Sequence, residues 1–198
     1  MHQWLKTLQP AVVEVIQSRK VLTSCTISRD GTRIIAGCRD RTIRIWDVDT
    51  SNPVGEQSPG HNDRVRPAAF SPIGKRIIVG SNEGTVASGV WDAETGSSMG
   101  EPLQGHHRRA WSVVFSPNGT RIVSGSRDNA VRIWDADTGS PVGEPLRGHH
   151  DCVTSVEFSP DGRHIVSGLR DGTVGIWDAE TGSPVAADTG AILNTPQL

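Results

Sequence analysis

The sequence predicts an all-β chain built from four copies of one four-stranded antiparallel unit. Three observations carry this reading. A Trp-Asp pair recurs at Trp46-Asp47, Trp91-Asp92, Trp134-Asp135 and Trp177-Asp178, at intervals of 45, 43 and 43 residues. A Gly-His pair precedes three of them, at Gly60-His61, Gly105-His106 and Gly148-His149. Between these markers lie short β-forming runs separated by turn residues, with no helical apolar stripe. A period of about 40–45 residues bounded in this way marks one blade of a β-propeller. The blades fall at about 18–58, 59–103, 104–147 and 148–188, with residues 1–17 before them and 189–198 after them.

The elements follow in chain order. The stretch from Gln9 to Lys20 centres on Ala-Val-Val-Glu-Val-Ile, and its β-branched content favours an added strand. Repeats one to three each carry a turn after their first strand, at Ser28-Arg29-Asp30-Gly31, Ser71-Pro72-Ile73-Gly74 and Ser116-Pro117-Asn118-Gly119. Repeat four shows the plan most cleanly. Asp151 to Phe158 forms the innermost strand, and Ser159-Pro160-Asp161-Gly162 turns the chain. His164 to Gly168 is the second strand, Asp171-Gly172 the hairpin, and Thr173 to Asp178 the third strand. Thr181-Gly182-Ser183-Pro184-Val185 leads into an outer strand, where an edge tolerates proline.

Composition narrows the function classes. A net charge of −2 does not favour nucleic acid or a membrane surface as the partner. Cys25, Cys38 and Cys152 are odd in number and have no Cys-x-x-Cys spacing, so a disulfide framework is not expected. No His/Cys/Asp/Glu cluster has a zinc or iron spacing, and neither metal nor cofactor is expected. The N-terminus lacks a secretory pattern, and no apolar run is long enough to span a membrane. The expected setting is cytoplasmic, with the nucleus also open to it.

These recurring pairs and turns resemble the WD-repeat β-propeller family over roughly residues 18–186. The run from Asp135 to His149 further resembles the repeats of fungal NACHT-type incompatibility and signalling proteins, in which the propeller is a sensor. There is no Gly-x-x-x-x-Gly-Lys-Ser/Thr segment here. The family resemblance implies a hydrogen-bonded Trp-Ser-His-Asp chain inside a blade. In blade three this is Trp134, Ser124, His106 and Asp128; in blade four it is Trp177, Ser167, His149 and Asp171. Ser126 lies on the same strand face as Ser124 and could supply the hydroxyl instead. A catalytic triad is not expected, because the set occurs twice. Repeat one has Ser18 and Ala36 at the His and Ser places, though it keeps Asp40 and Trp46. Repeat two has Val79 and Glu83 at the Ser and Asp places, and two extra residues within 85–90. Blades one and two are therefore expected to be less rigid. The Asp of each Trp-Asp pair is expected to cap the following Thr-Gly turn.

Repeats three and four differ mainly just after Gly-His. A constant frame with a varied loop is how a scaffold presents recognition residues. The resemblance implies that this segment, and the residue before the hairpin Asp, line the mouth of the central channel. The positions are Val21, Thr23 and Arg39; Arg64, Arg66 and Asn82; Arg109, Trp111 and Arg127; and Cys152, Thr154 and Arg170. Six arginines, one tryptophan and no carboxylate predict a face for other proteins, in particular acidic or phosphorylated peptides.

WD-type rings commonly hold seven or eight blades, so four leave the ring incomplete. Three outcomes are open: a piece of a longer propeller, a homodimer completing a ring, or an N-terminal strand capping an outer edge. The leading functional reading is a non-enzymatic protein–protein interaction scaffold or sensor. The second is an adaptor or substrate receptor in a ubiquitin-ligase or chromatin complex.

Overall fold

The structure, a computed structural model, describes residues 21–55, 58–59, 65–81 and 88–185. The expected N-terminal strand and the tail lie outside them. Every regular element among the described residues is a strand. Sheet one runs β1 (Leu22–Ile27), β2 (Arg33–Cys38), β3 (Thr42–Asp47) and β4 (Ser58–Pro59) in sequential antiparallel order. Sheet two runs β5 (Val65–Phe70), β6 (Arg76–Ser81), β7 (Ser88–Asp92) and β8 (Ser98–Leu103). Sheet three holds β9 (Ala110–Phe115), β10 (Arg121–Ser126) and β11 (Val131–Asp135). Sheet four holds β12 (Val153–Phe158), β13 (His164–Leu169) and β14 (Val174–Asp178). The first strands of successive sheets neighbour one another, so they form the inner side of the array.

The four sheets are the blades, and they form an open array. The outer strand expected in every repeat is continuous only where the chain can pair. In blade one it consists of the bridge Trp46↔Pro53 and the two-residue β4, and in blade three of the bridges Val131↔Leu146 and Trp134↔Pro141; in blade four the described residues reach the bridge Trp177↔Pro184. Pro53, Pro141 and Pro184 stand at the same place and have no N–H to give to a ladder, whereas blade two has Ser98 there and begins its longer outer strand with it.

Packing follows from strand alternation. One face of each inner sheet meets the previous blade and the other meets the next. Ile35, Ile43 and Ile45 of blade one pack on Val65, Ile77, Val79 and Trp91 of blade two. Ile78 and Val90 of blade two pack on Val113, Phe115, Ile122 and Trp134. Val123, Val131 and Ile133 of blade three pack on Val153, Val156, Phe158, Ile165 and Trp177. Burying each such side chain stabilises by about 1.5–3 kcal/mol, so the core is divided among the three joints.

A second interaction crosses each joint. The Arg33 guanidinium donates to the Ala93 carbonyl at 2.5 Å, Arg76 to Ala136 at 3.1 Å, and Arg121 to Ala179. Each arginine opens the second strand of its blade, and each acceptor follows the Trp-Asp pair of the next blade. Arg76 also pairs with Asp137 at 2.5 Å. The corresponding residue of blade four is His164.

The hairpin after the second strand demands a positive φ. Blade four uses Gly172 (φ 86°) and blade three Asn129 (φ 65°), whereas blade one uses Arg41 (φ 74°). A side chain with a Cβ pays about 1–2 kcal/mol there, offset in part by the greater chain entropy a glycine loses on folding. Arg41→Gly is expected to raise the unfolding free energy by about 0.5–1 kcal/mol in urea titration.

Candidate functional site

One local distortion recurs at the start of every innermost strand. In blade one Leu22 pairs with Cys38 and Ser24 with Gly37, which leaves Thr23 as an extra residue. In blade three Ala110 pairs with Ser126 and Ser112 with Gly125, leaving Trp111. In blade four Val153 pairs with Leu169 and Ser155 with Gly168, leaving Thr154. In blade two Arg66 and Pro67 together oppose Gly80. These are β-bulges, which re-aim a side chain and sharpen the twist. The extra residues are among the positions expected at the channel mouth.

The bulge leaves a carbonyl opposite it to be satisfied. The one Thr23 Oγ1 proton is shared between the Gly37 carbonyl, at 2.9 Å, and Val65 O across the joint. Thr154 Oγ1 donates to the Gly168 carbonyl at 3.1 Å. Trp111 has no hydroxyl to turn inward. Its ring is 38% exposed, and the Arg109 guanidinium stacks over it at 4.9 Å from the ring centroid.

A backbone bond ties each mouth residue before the bulge to the arginine before the hairpin. Arg39 N–H donates to Val21 O, Arg127 N–H to Arg109 O, and Arg170 N–H to Cys152 O, all at 2.9–3.0 Å. The structure thus brings together Val21, Thr23 and Arg39 in blade one, Arg109, Trp111 and Arg127 in blade three, and Cys152, Thr154 and Arg170 in blade four. Arg39, Arg127 and Arg170 are exposed, and their side chains carry no ion pair among the described residues. Arg64 and Asn82 lie outside the described residues, as does the side chain of Arg66. The rim also crosses a joint: Cys152 Sγ lies 3.9 Å from Arg127 O, and Asn129 Nδ2 donates to His150 O at 3.4 Å.

Beneath the rim, blade three contains a complete chain of hydrogen bonds. Trp134 Nε1–H donates to Ser124 Oγ at 2.9 Å, and Ser124 Oγ contacts His106 Nε2 at 2.8 Å. His106 Nδ1 lies 3.0 Å from Asp128 Oδ2. These partners place the histidine proton on Nδ1, facing the carboxylate. Asp128 also accepts from the His107 and Ala130 backbone N–H groups, at 2.9 and 3.1 Å. Burial pushes the Asp128 carboxyl up, but the hydrogen bond from His106, the charge that ring carries once it is protonated, and those two N–H groups outweigh it and hold it down at about 2. The sequence left Ser124 and Ser126 as alternatives; Ser124 is the hydroxyl used. Ser126 has a different role that strand alternation did not reveal. Its Oγ donates to Arg108 O at 2.9 Å and accepts from Asp128 N–H at 3.1 Å. It therefore clamps the loop before Arg109 to the turn after Arg127.

Blade four departs from the expected chain. Trp177 Nε1–H donates to Ser167 Oγ at 2.8 Å, and Ser167 contacts His149 Nε2 at 2.6 Å. The chain stops there. Asp171 accepts instead from the Thr173 N–H at 2.9 Å and from its hydroxyl at 2.6 Å. Blade three has Ala130 at that place, with no competing hydroxyl, so Asp128 is free to meet His106. Burial lowers the His149 ring below its ordinary 6.5, Asp171 pulls it back up through space, and His150 lowers it further. The Trp-Asp carboxylates cap their turns: Asp47, Asp92, Asp135 and Asp178 each accept from the N–H and hydroxyl of the threonine three residues on.

Ser124→Ala strands the Trp134 N–H and the His106 acceptor and is expected to cost about 2–3 kcal/mol in chemical denaturation. The lowered His149 contributes stability that is present above pH 6.5 and lost as pH falls through its folded value. The loss of melting temperature from pH 7.5 to about 5.5 should accordingly be smaller in His149→Gln than in the parent chain.

Comparison with known proteins places this geometry. The family described as "WD domain, G-beta repeat" matches residues 13–47, 97–135 and 139–178. The gap falls on the second repeat, where Val79 and Glu83 depart from the pattern. The U5 small nuclear ribonucleoprotein 40 kDa protein of Homo sapiens is 38% identical over 64 residues, which are 32% of this chain and 18% of that protein. The WD repeat-containing protein VIP3 of Arabidopsis thaliana is 36% identical over 69 residues, 35% of this chain and 21% of its own. Apoptotic protease-activating factor 1 of Rattus norvegicus is 36% identical over 63 residues, 32% of this chain and 5% of its own. The matched segments thus span about a fifth or less of these relatives. The crystal structure of the computationally designed Ika4 protein superposes with a TM-score of 0.70 at 29% identity, covering 82% of this chain and 93% of that one. With four sheets repeating one plan and more than half its length matched, the chain belongs to the WD-repeat family.

Proposed function

We propose that the chain is a non-enzymatic protein-interaction scaffold or sensor whose arginine rim receives an acidic or phosphorylated segment of another protein. The observation that carries this reading is the co-location of Arg109, Trp111, Arg127, Thr154 and Arg170 at one end of two adjacent blades. A stacked Arg109–Trp111 pair offers a flat apolar surface beside guanidinium forks. Arg127 and Arg170 stand exposed on backbones fixed by the same hydrogen bond, so the ordering cost on binding falls on the side chains and not on the backbone. Planar forks pair bidentately with carboxylate or phosphate. The constant frame below and the varied residues above divide stability from recognition. A second copy of this chain is also among the partners this reading admits, as is a cytoplasmic setting.

The test uses fluorescence anisotropy with a glutamate-rich peptide and its phosphoserine counterpart. Saturable binding that weakens with salt is expected. Arg109→Glu and Arg127→Glu are each expected to weaken it at least about tenfold, which corresponds to roughly 1.4 kcal/mol, with the melting temperature unchanged. Binding that survives both reversals, or unfolding of both variants, would overturn the assignment.

A further inference from the structure

The two end blades expose what the inner blades bury. In blade three Val123, Val131 and Ile133 are 0%, 0% and 4% exposed, because blade four lies against them. Their counterparts in blade four are Val166, Val174 and Ile176, which are 38%, 65% and 46% exposed. The other end is complementary. Blade four buries Val153, Val156, Phe158 and Ile165 against blade three, each no more than 7% exposed. The counterparts in blade one are Leu22, Cys25, Ile27 and Ile34. Leu22 is 44% and Ile27 54% exposed, Cys25 is exposed, and Ile34 is half-buried.

One chain therefore carries, at opposite ends, both halves of a joint that it makes three times internally. The three internal joints share one composition: a β-branched row from the second and third strands of one blade against an apolar row and a tryptophan of the next. Trp46 of blade one stands where Trp91, Trp134 and Trp177 serve the internal joints, but it is already buried in the single chain, so the open part of this face is Leu22, Cys25 and Ile27. We propose that a second copy of this chain covers both end faces. Blade four of each copy packs on blade one of the other about a two-fold axis, closing a ring of eight blades from two sets of four. The internal joints supply the argument for a second copy over another occupant: the surface each end face fits is the one this chain presents at its other end. The inference does not depend on the arginine rim. Glu157 is the departure from the template, since it stands where the half-buried Val114 joins the apolar row of blade three.

Sedimentation velocity on the full chain, from about 1 to 100 µM, tests the proposal. A single species of twice the chain mass is expected to dominate at the upper end. Val174→Asp and Leu22→Asp alter opposite ends at positions exposed in the single chain, so each should fold. Each is expected to raise the dimer dissociation constant at least about 100-fold with an unchanged circular dichroism spectrum. Glu157→Val should lower it several-fold, which keeps the test decisive if an aspartate variant fails to fold. A monomer across the whole range, a dimer indifferent to all three changes, or oligomers that keep growing with concentration would each overturn the closed pair.

Discussion

The structure rests on one constraint: a sheet with two apolar faces is stable only between neighbours. Each blade here is a small twisted sheet with tryptophan and isoleucine on one face and β-branched residues on the other. Among the described residues the three apolar clusters all lie at the joints between blades. That is why the Trp-Asp repeat is so regular. The indole must reach the previous blade at the same height each time, and any slip by one residue would turn it to the wrong face.

The same constraint frees the ends of the strands to vary. Once the joints fix the blades, the loops above them need only close their own hydrogen bonds. The bulge at the start of each inner strand does this in two ways. Thr23 and Thr154 close it with a hydroxyl, whereas Trp111 leaves it and turns a large ring outward. A single change of residue type at one bulge therefore exchanges a hydroxyl cap for an exposed aromatic ring. Asp128 and Ser126 then hold the neighbouring loops against each other, so that the stacked Arg109 and the exposed Arg127 sit on a firm base.

Much of this was legible in the sequence, for physical reasons. Trp-Asp spacing, Ser-x-x-Gly turns and the Asp-Gly hairpin encode local backbone demands that few residues satisfy. The fold class and the inner strands followed from them. Other features depend on competition or on register. The outer strand of blade three was expected in full, but it is present as two isolated bridges, one of them at Pro141. Asp171 was expected to meet His149, but the Thr173 hydroxyl lies nearer; the sequence does contain that signal, in Thr173 set against Ala130. The bulges were not visible, since a bulge is a relation between two strands. Arg33, Arg76 and Arg121 recur at the same place in their repeats, and that recurrence could have marked the cross-joint bond.

Those three arginines have a mechanical consequence. They stand at the start of the second strand, whereas Arg39 and Arg127 follow its end, about 20 Å away at the usual rise per residue. The strong cross-joint bonds sit at the far end, while across the joint between blades three and four the rim is linked by a sulfur contact of 3.9 Å and an amide bond of 3.4 Å. The array is thus riveted by charged donors at one end of its ribs and laced by neutral ones toward the other, where Thr23 Oγ1 meets Val65 O and the Val156 N–H meets Ser112 Oγ at 3.1 Å. A guanidinium keeps its proton throughout the ordinary pH range, so these rivets hold the blades in line whatever the histidines beneath the rim do.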